Sequence, residues 1–218
     1  MRFTAVMPWI VWDWKYLALK SAKIDITPID NSERNRGVPR SWNMGIDMMR
    51  RDDTDWLVVI SAAIRFGESG GQDFIRLLEQ RPDHRAVSAL GTFGWHLMAF
   101  SRETIETAGR FDENFWPGYL EDIDYAIRMY RVKPDAPWGA YACDVSDTGM
   151  AHALNSGKVE VDNLEIHSYF ESKWGRQPGG EWDQYYVTPF DLDMAPVKWW
   201  PTANRTGGEW DQPTGEVT

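Results

Sequence analysis

The run Trp56-Leu57-Val58-Val59-Ile60 sets the tightest limit on the fold of this chain: five apolar residues between the polar turn Asp52-Asp53-Thr54-Asp55 and Ser61. A strand with water on one face alternates polar and apolar residues. An unbroken run suits a strand covered on both faces, as in the middle of a parallel sheet. Phe3 to Pro8 predicts another buried strand, ended by proline, and Ile24 to Ile29 a strand stopped by Asp30-Asn31-Ser32. Ala86 to Leu90 and Trp95 to Ser101 predict two more. Helical stretches lie between them: Trp14 to Ala22, Ser41 to Met49, Phe74 to Gln80, and Arg102 to Ala108 stopped by Gly109. Asp122 to Arg131 predicts a further helix with Ile123, Ala126, Ile127 and Tyr130 turned inward. Strands alternating with helices imply an α/β fold, a mostly parallel central sheet with helices on both faces, over about Met1 to Asp147. Ligands of such sheets bind at the carboxyl ends of the strands.

With 218 residues, the chain suits one domain, residues 1–170, followed by an extended tail, 171–218. The tail is rich in Gly, Pro and Trp and repeats one hexapeptide, Gly179 to Gln184 and Gly207 to Gln212. Two copies are too few for a solenoid. Tryptophans packed on the domain or on a second subunit are expected instead, which makes a homodimer plausible. The net charge of −10 argues against nucleic acid and anionic membranes as partners. No stretch approaches the roughly 18 apolar residues of a membrane span. The first residues lack the plan of a signal peptide, and the single Cys143 excludes an internal disulfide framework. A cytoplasmic location is the expectation.

Three segments carry a family resemblance. The first is Ile29-Asp30-Asn31-Ser32 followed by Asn35-Arg36-Gly37-Val38-Pro39-Arg40-Ser41-Trp42-Asn43-Met44-Gly45. The second is Gly109-Arg110-Phe111-Asp112-Glu113, then Glu121-Asp122-Ile123-Asp124. The third is Tyr169-Phe170-Glu171-Ser172-Lys173-Trp174-Gly175. Together they resemble the inverting glycosyltransferases of the GT-A fold, family 2, in a short bacterial or phage form. The resemblance implies a nucleotide-sugar donor and a glycan, lipid or protein acceptor. It assigns Asp122 as the general base, and Pro8, Asp30, Asn35, Arg40, Asn43, Ser61 and Ala63 to the nucleotide. Glu121, Trp95 and Trp116 are assigned to the acceptor cleft. Many members also ligate a metal through a histidine, for which His152 is the positional match. Read alone, Asp30 is a turn residue sooner than a ligand, and Glu121-Asp122 are ordinary acids at a helix start sooner than a base; the context of the second segment reverses the latter. Successive helical residues point about 100° apart, so only one of Glu121 and Asp122 is expected to face the cleft, with Asp124 turned elsewhere.

One departure stands out. The family's Asp-x-Asp, which holds Mn²⁺ or Mg²⁺ against the diphosphate, is Ser61-Ala62-Ala63 here. Alanine cannot ligate a cation, and serine is a poor substitute for a carboxylate. The strings Asp53-Thr54-Asp55, Asp122-Ile123-Asp124 and Asp191-Leu192-Asp193 lie elsewhere in the chain. Three readings stay open. The chain could be a metal-independent transferase that neutralises the leaving diphosphate with Arg65, Arg40 or Lys173. It could be a non-catalytic sugar- or nucleotide-binding module. Or it could be a form whose native acids, one of them at position 63, were replaced.

Overall fold

In the computed structural model, which describes residues 1–9, 18–33, 35–89, 95–135, 137–147 and 163–179, the run Trp56–Ile60 is the inner strand its composition predicts. Leu57 and Val59 enter one core, while Trp56, Val58 and Ile60 enter another on the opposite face. A strand buried on both sides leaves no position for a polar residue, which is why the run is unbroken.

In chain order the strands and helices are β1 (Phe3–Trp9), β2 (Thr27–Asp30), α1 (Val38–Asp52), β3 (Trp56–Ile60), β4 (Ile64–Phe66), α2 (Gln72–Gln80) and β5 (Ala86–Ser88). Then come β6 (Leu97–Ser101), α3 (Arg102–Ala108), α4 (Glu121–Val132), β7 (Trp138–Ala140), β8 (Val145–Asp147) and α5 (Asn163–Trp174). Residues 18–22 are also helical. The central sheet has the order β2-β1-β3-β6-β5-β7. Among the described strands only β6 runs antiparallel to its neighbours, so the sheet is mostly parallel, as expected. β4 and β8 form a small antiparallel ladder beside it.

Local chemistry sets the element ends. α1 starts with Pro39 in its first turn, where no N–H is required, and ends where Asp53 turns left-handed at φ 51° and caps the Met49 carbonyl. It lies close on the sheet at Gly45, where a Cβ would come within 2.7 Å of Val6 and 2.9 Å of Leu57. α3 opens on Ser101, whose hydroxyl accepts the Thr104 N–H, and stops at Gly109. β2 begins later than the expected Ile24. The backbone of residues 22–23 is held by a neighbouring loop instead: Ala22 O accepts the Gly71 N–H at 2.6 Å, and Lys23 O accepts the Gln72 amide at 2.8 Å.

The inner face of α4 is rotated from its expected phase. Tyr130 is 37% exposed rather than inward, and the buried set includes Asp124, Tyr125, Arg128 and Met129. The apolar periodicity is misleading here because Asp124 and Arg128 enter the interior as an i,i+4 ion pair. α5 packs on α4 in a third core of Phe115, Ile127, Ile166, Phe170 and Trp174. It runs unbroken across residues 170 and 171, where the sequence reading divides domain from tail. Apart from Gly179, the two hexapeptides lie outside the described residues. No described helix is long and apolar enough to cross a membrane.

Candidate functional site

The chain leaves β1 for β2 on one side and returns to β3 on the other, so the strand order reverses between β1 and β3. In open α/β sheets ligands bind beyond the carboxyl ends of the strands at such a point. Several of the expected site residues converge there. Pro8 pairs with Ile29, and Trp9 with Asp30. Ile60 at the end of β3 faces Leu97 at the start of β6, and the Ser61 N–H donates to His96 O at 2.7 Å. Pro8, Asp30, Ser61 and Trp95 therefore share one edge with His96, a residue the sequence reading did not single out.

Of the residues expected to hold a nucleotide, Asp30 is exposed and its Oδ1 accepts the Ser32 N–H at 2.8 Å and the Ser32 hydroxyl at 2.6 Å. Arg36 Nη1 donates to the Asp30 carbonyl at 2.7 Å. Buried Asn31 was also missed. It donates to Ser41 Oγ at 3.0 Å and accepts the Arg36 N–H, tying the end of β2 to α1. Asn35 is buried, with Oδ1 accepting the Gly37 N–H at 2.9 Å. Arg40 is half-buried in the first turn of α1. The Asn43 amide is engaged by the Gly109-to-Glu113 loop: it donates to Phe111 O and Glu113 and accepts the Phe111 N–H. Asn43 thus fixes that loop on α1.

The residues expected at an acceptor cleft are positioned by docking one loop on another. Trp116 Nε1 donates to Asn35 O at 3.2 Å, and the Val38 N–H donates to Pro117 O at 2.8 Å. Gly37, at φ 80°, lies so close that a Cβ would sit 2.6 Å from the Trp116 ring. The Trp116–Pro117 peptide is cis. Tyr119 and Leu120 then take φ values of 79° and 65°, a left-handed pair costing on the order of 1–3 kcal/mol per residue for side chains that are not glycine. Such strain persists where the surroundings dictate it, and here it sets Glu121 and Asp122 at the start of α4. Trp95 is buried among Trp42, Phe100, Phe111 and Tyr125, in the core beneath the edge.

The two acids differ. Glu121 is 7% exposed, and among the described residues its Oε2 has no hydrogen-bond partner. Burial, then the neighbouring Asp122, push its carboxyl well above the usual carboxylate range, against the N–H groups of Glu121 and Tyr119. Asp122 is half-buried and accepts the Ile123 N–H at 2.8 Å. Burial raises it as well, opposed by the backbone N–H groups of Ile123 and Asp122 and by the nearby His96. A raised Glu121 stabilises the fold while protonated, and that contribution is lost as pH rises through its folded value. Glu121→Gln is therefore expected to unfold at higher denaturant than wild type at about pH 8, by about 1–3 kcal/mol. The gap should close towards about pH 4, where glutamate is protonated in both states. Denaturation curves at the two pH values check this. An equal gap at both would mean that the charge of Glu121 is not what matters.

The turn that follows β3 does not fit a divalent ion. Ser61 Oγ accepts the Ala63 N–H at 3.2 Å, Ala63 is buried, and no carboxylate belongs to the turn. Among the described residues no group of three or more His, Cys, Asp or Glu is placed to hold a metal. His152 lies outside them. Of the cations the sequence offers for a diphosphate, Lys173 has a side chain only 3% exposed and bound to Asp112 at 2.5 Å and Asp124 at 2.6 Å. Arg65 instead lies on the turn itself, with Nη1 donating to Ala62 O at 3.0 Å and Ile64 O at 2.7 Å.

No family model and no curated protein sequence matches the chain. Solved structures do. One is the Pyrobaculum calidifontis mannosyltransferase PcManGT in complex with GDP-mannose and Mn²⁺, with a TM-score of 0.51 at 14% identity over 81% of this chain and 66% of that one. Another is a mutant of Drosophila β-1,4-galactosyltransferase 7 in complex with manganese, UDP-galactose and xylobiose, with a TM-score of 0.50 at 12% identity over 76% of this chain and 79% of that one. At these identities the likeness is one of fold. The chain has the GT-A fold that these glycosyltransferases share.

Proposed function

We propose that this protein transfers a sugar from a nucleoside diphosphate sugar to an acceptor hydroxyl, with inversion at the anomeric carbon. The observation that supports the reading is the acid pair at the start of α4, which follows a docked, strained loop, with Asp122 near His96, a residue of the edge where the strand order reverses. Asp122 takes the proton of the acceptor hydroxyl as its oxygen attacks the anomeric carbon. The bond from that carbon to the phosphate oxygen breaks, and its electron pair leaves with the nucleoside diphosphate. A raised pKa suits Asp122 to this task, because a base works best when its pKa approaches the working pH. Asp30 and the Asn35-to-Asn43 segment hold the nucleotide, while Glu121 and the Trp116 loop border the acceptor. The three resemblance segments support membership of the inverting family 2.

Calorimetry with UDP- and GDP-sugars, paired with an assay for released nucleoside diphosphate, tests the proposal. Binding of at least one donor is expected, with turnover when a suitable acceptor is present. Asp30→Ala is expected to weaken that donor about tenfold, the scale of a hydrogen bond to a charged group. Unchanged affinity in Asp30→Ala would remove the nucleobase assignment. The acid-free turn at Ser61-Ala62-Ala63 favours a second reading, a non-catalytic binding module. Tight donor binding with no release of nucleoside diphosphate across donors and acceptors would select it.

A further inference from the structure

The guanidinium of Arg65 occupies the turn where a metal-dependent enzyme of this fold would need carboxylates. Ile64 and Phe66 point into the core, which puts Arg65 on the other side of β4. Its side chain folds back so that Nη1 reaches the carbonyls of Ala62 and Ile64. Those carbonyls fix the group. Among the described residues it has no acidic partner, and its Nε and Nη2 make no hydrogen bond. A half-buried guanidinium without a counter-ion, in a chain of net charge −10, calls for an explanation. A charge drawn out of water is ordinarily paired, and planar guanidinium donors match phosphate oxygens well.

Resting on the nucleotide-sugar reading, we infer that Arg65 takes the place of the divalent ion: its free donors bind the donor's diphosphate and balance the charge left on it when the sugar departs. Of the two other cations the sequence offers, Arg40 lies apart from this turn, at the start of α1, and Lys173 is excluded by its contacts. Lys173 already neutralises Asp112 and Asp124 in the interior. Binding of the diphosphate is therefore independent of metal.

Calorimetry of the full chain with UDP and GDP, in EDTA and then with Mn²⁺, tests this. At least one nucleotide should bind in EDTA, and Mn²⁺ should change its Kd by less than about threefold. Arg65→Gln should weaken the diphosphate about 10- to 100-fold, and the matching nucleoside monophosphate by less. Arg65→Lys should recover part of the loss, since it returns the charge without the fork. Circular dichroism and the unfolding midpoint show whether the variants are folded. The wild-type measurement stands even where they are not. Binding that requires Mn²⁺, or a folded Arg65→Gln with wild-type affinity, overturns the inference and leaves the nucleotide-sugar reading in place. If neither nucleotide binds under either condition, that reading falls and takes this inference with it.

Discussion

Asp122→Asn is expected to lower the rate of sugar transfer by about 10² to 10⁴ while changing donor affinity by no more than about twofold. The substitution keeps the size of the side chain and its hydrogen bond from the Ile123 N–H, and removes only the ability to accept a proton. The loss should therefore fall on kcat. Burial raises the pKa of Asp122, so the basic form appears only above the ordinary aspartate range. The wild-type rate should rise with pH through that value, and the residual rate of the variant should not. Glu121→Gln is the control. Glu121 neighbours Asp122 but is the more deeply buried, so it is the less accessible of the two to an incoming hydroxyl. Its change to glutamine should cost much less in kcat. If Glu121→Gln is the lethal change and Asp122→Asn is tolerated, the two roles are exchanged. If neither affects turnover, the mechanism is wrong.

Much of the fold was legible because it depends on period and punctuation. The Trp56–Ile60 run, the proline at the start of α1 and the glycine after α3 each have a local cause, and each element appears where that cause puts it. The turn chemistry at Asp30 was legible too. Contacts between segments distant in sequence were not. Asn43 gives no sign in the sequence that its amide will hold residues 111 and 113, nor does Trp116 that its indole will meet Asn35. The phase of α4 was misjudged for a related reason. A periodicity argument treats Asp124 and Arg128 as outward residues, and only their tertiary partners make burial favourable. His96 was passed over because its place depends on β6 running antiparallel beside β3, a reversal that no local signal announces.

Lys173→Met is expected to cost about 3–5 kcal/mol of stability, the scale of breaking a buried ion pair by removing one partner. The sequence offered Lys173 as a cation for the diphosphate, but its surroundings assign it another task. Its ammonium lies 2.5 Å from Asp112 Oδ2 and 2.6 Å from Asp124 Oδ1. Arg128 completes the group, bonding Asp124 Oδ2 through Nε at 3.0 Å and Nη2 at 2.8 Å, and the Trp174 indole N–H donates to Asp124 Oδ1 at 3.0 Å. Two acids and two bases thus form a buried, neutral quartet that fastens α5 to α4 and to the loop that Asn43 holds. Methionine keeps most of the volume but leaves one negative charge in the interior without balance. The pH dependence separates this from mere packing. Burial would raise the Asp112 carboxyl, yet Lys173, aided by hydrogen bonds from Lys173, Tyr169 and the Asn114 N–H, holds it below the usual range. In wild type this carboxylate contributes stability above the unfolded aspartate pKa, lost as pH falls through the lower folded value. Without Lys173 the sign reverses, because an unbalanced buried acid favours folding only when protonated. The gap between wild type and Lys173→Met should therefore be widest near neutral pH and shrink on acidification, as urea titrations at several pH values would show. Adding Asp112→Asn to Lys173→Met should recover part of the loss, since it removes the stranded charge. If Lys173→Met keeps its stability to within about 0.5 kcal/mol and loses nucleotide affinity instead, the lysine faces the ligand after all, and the quartet is not what holds α5 in place.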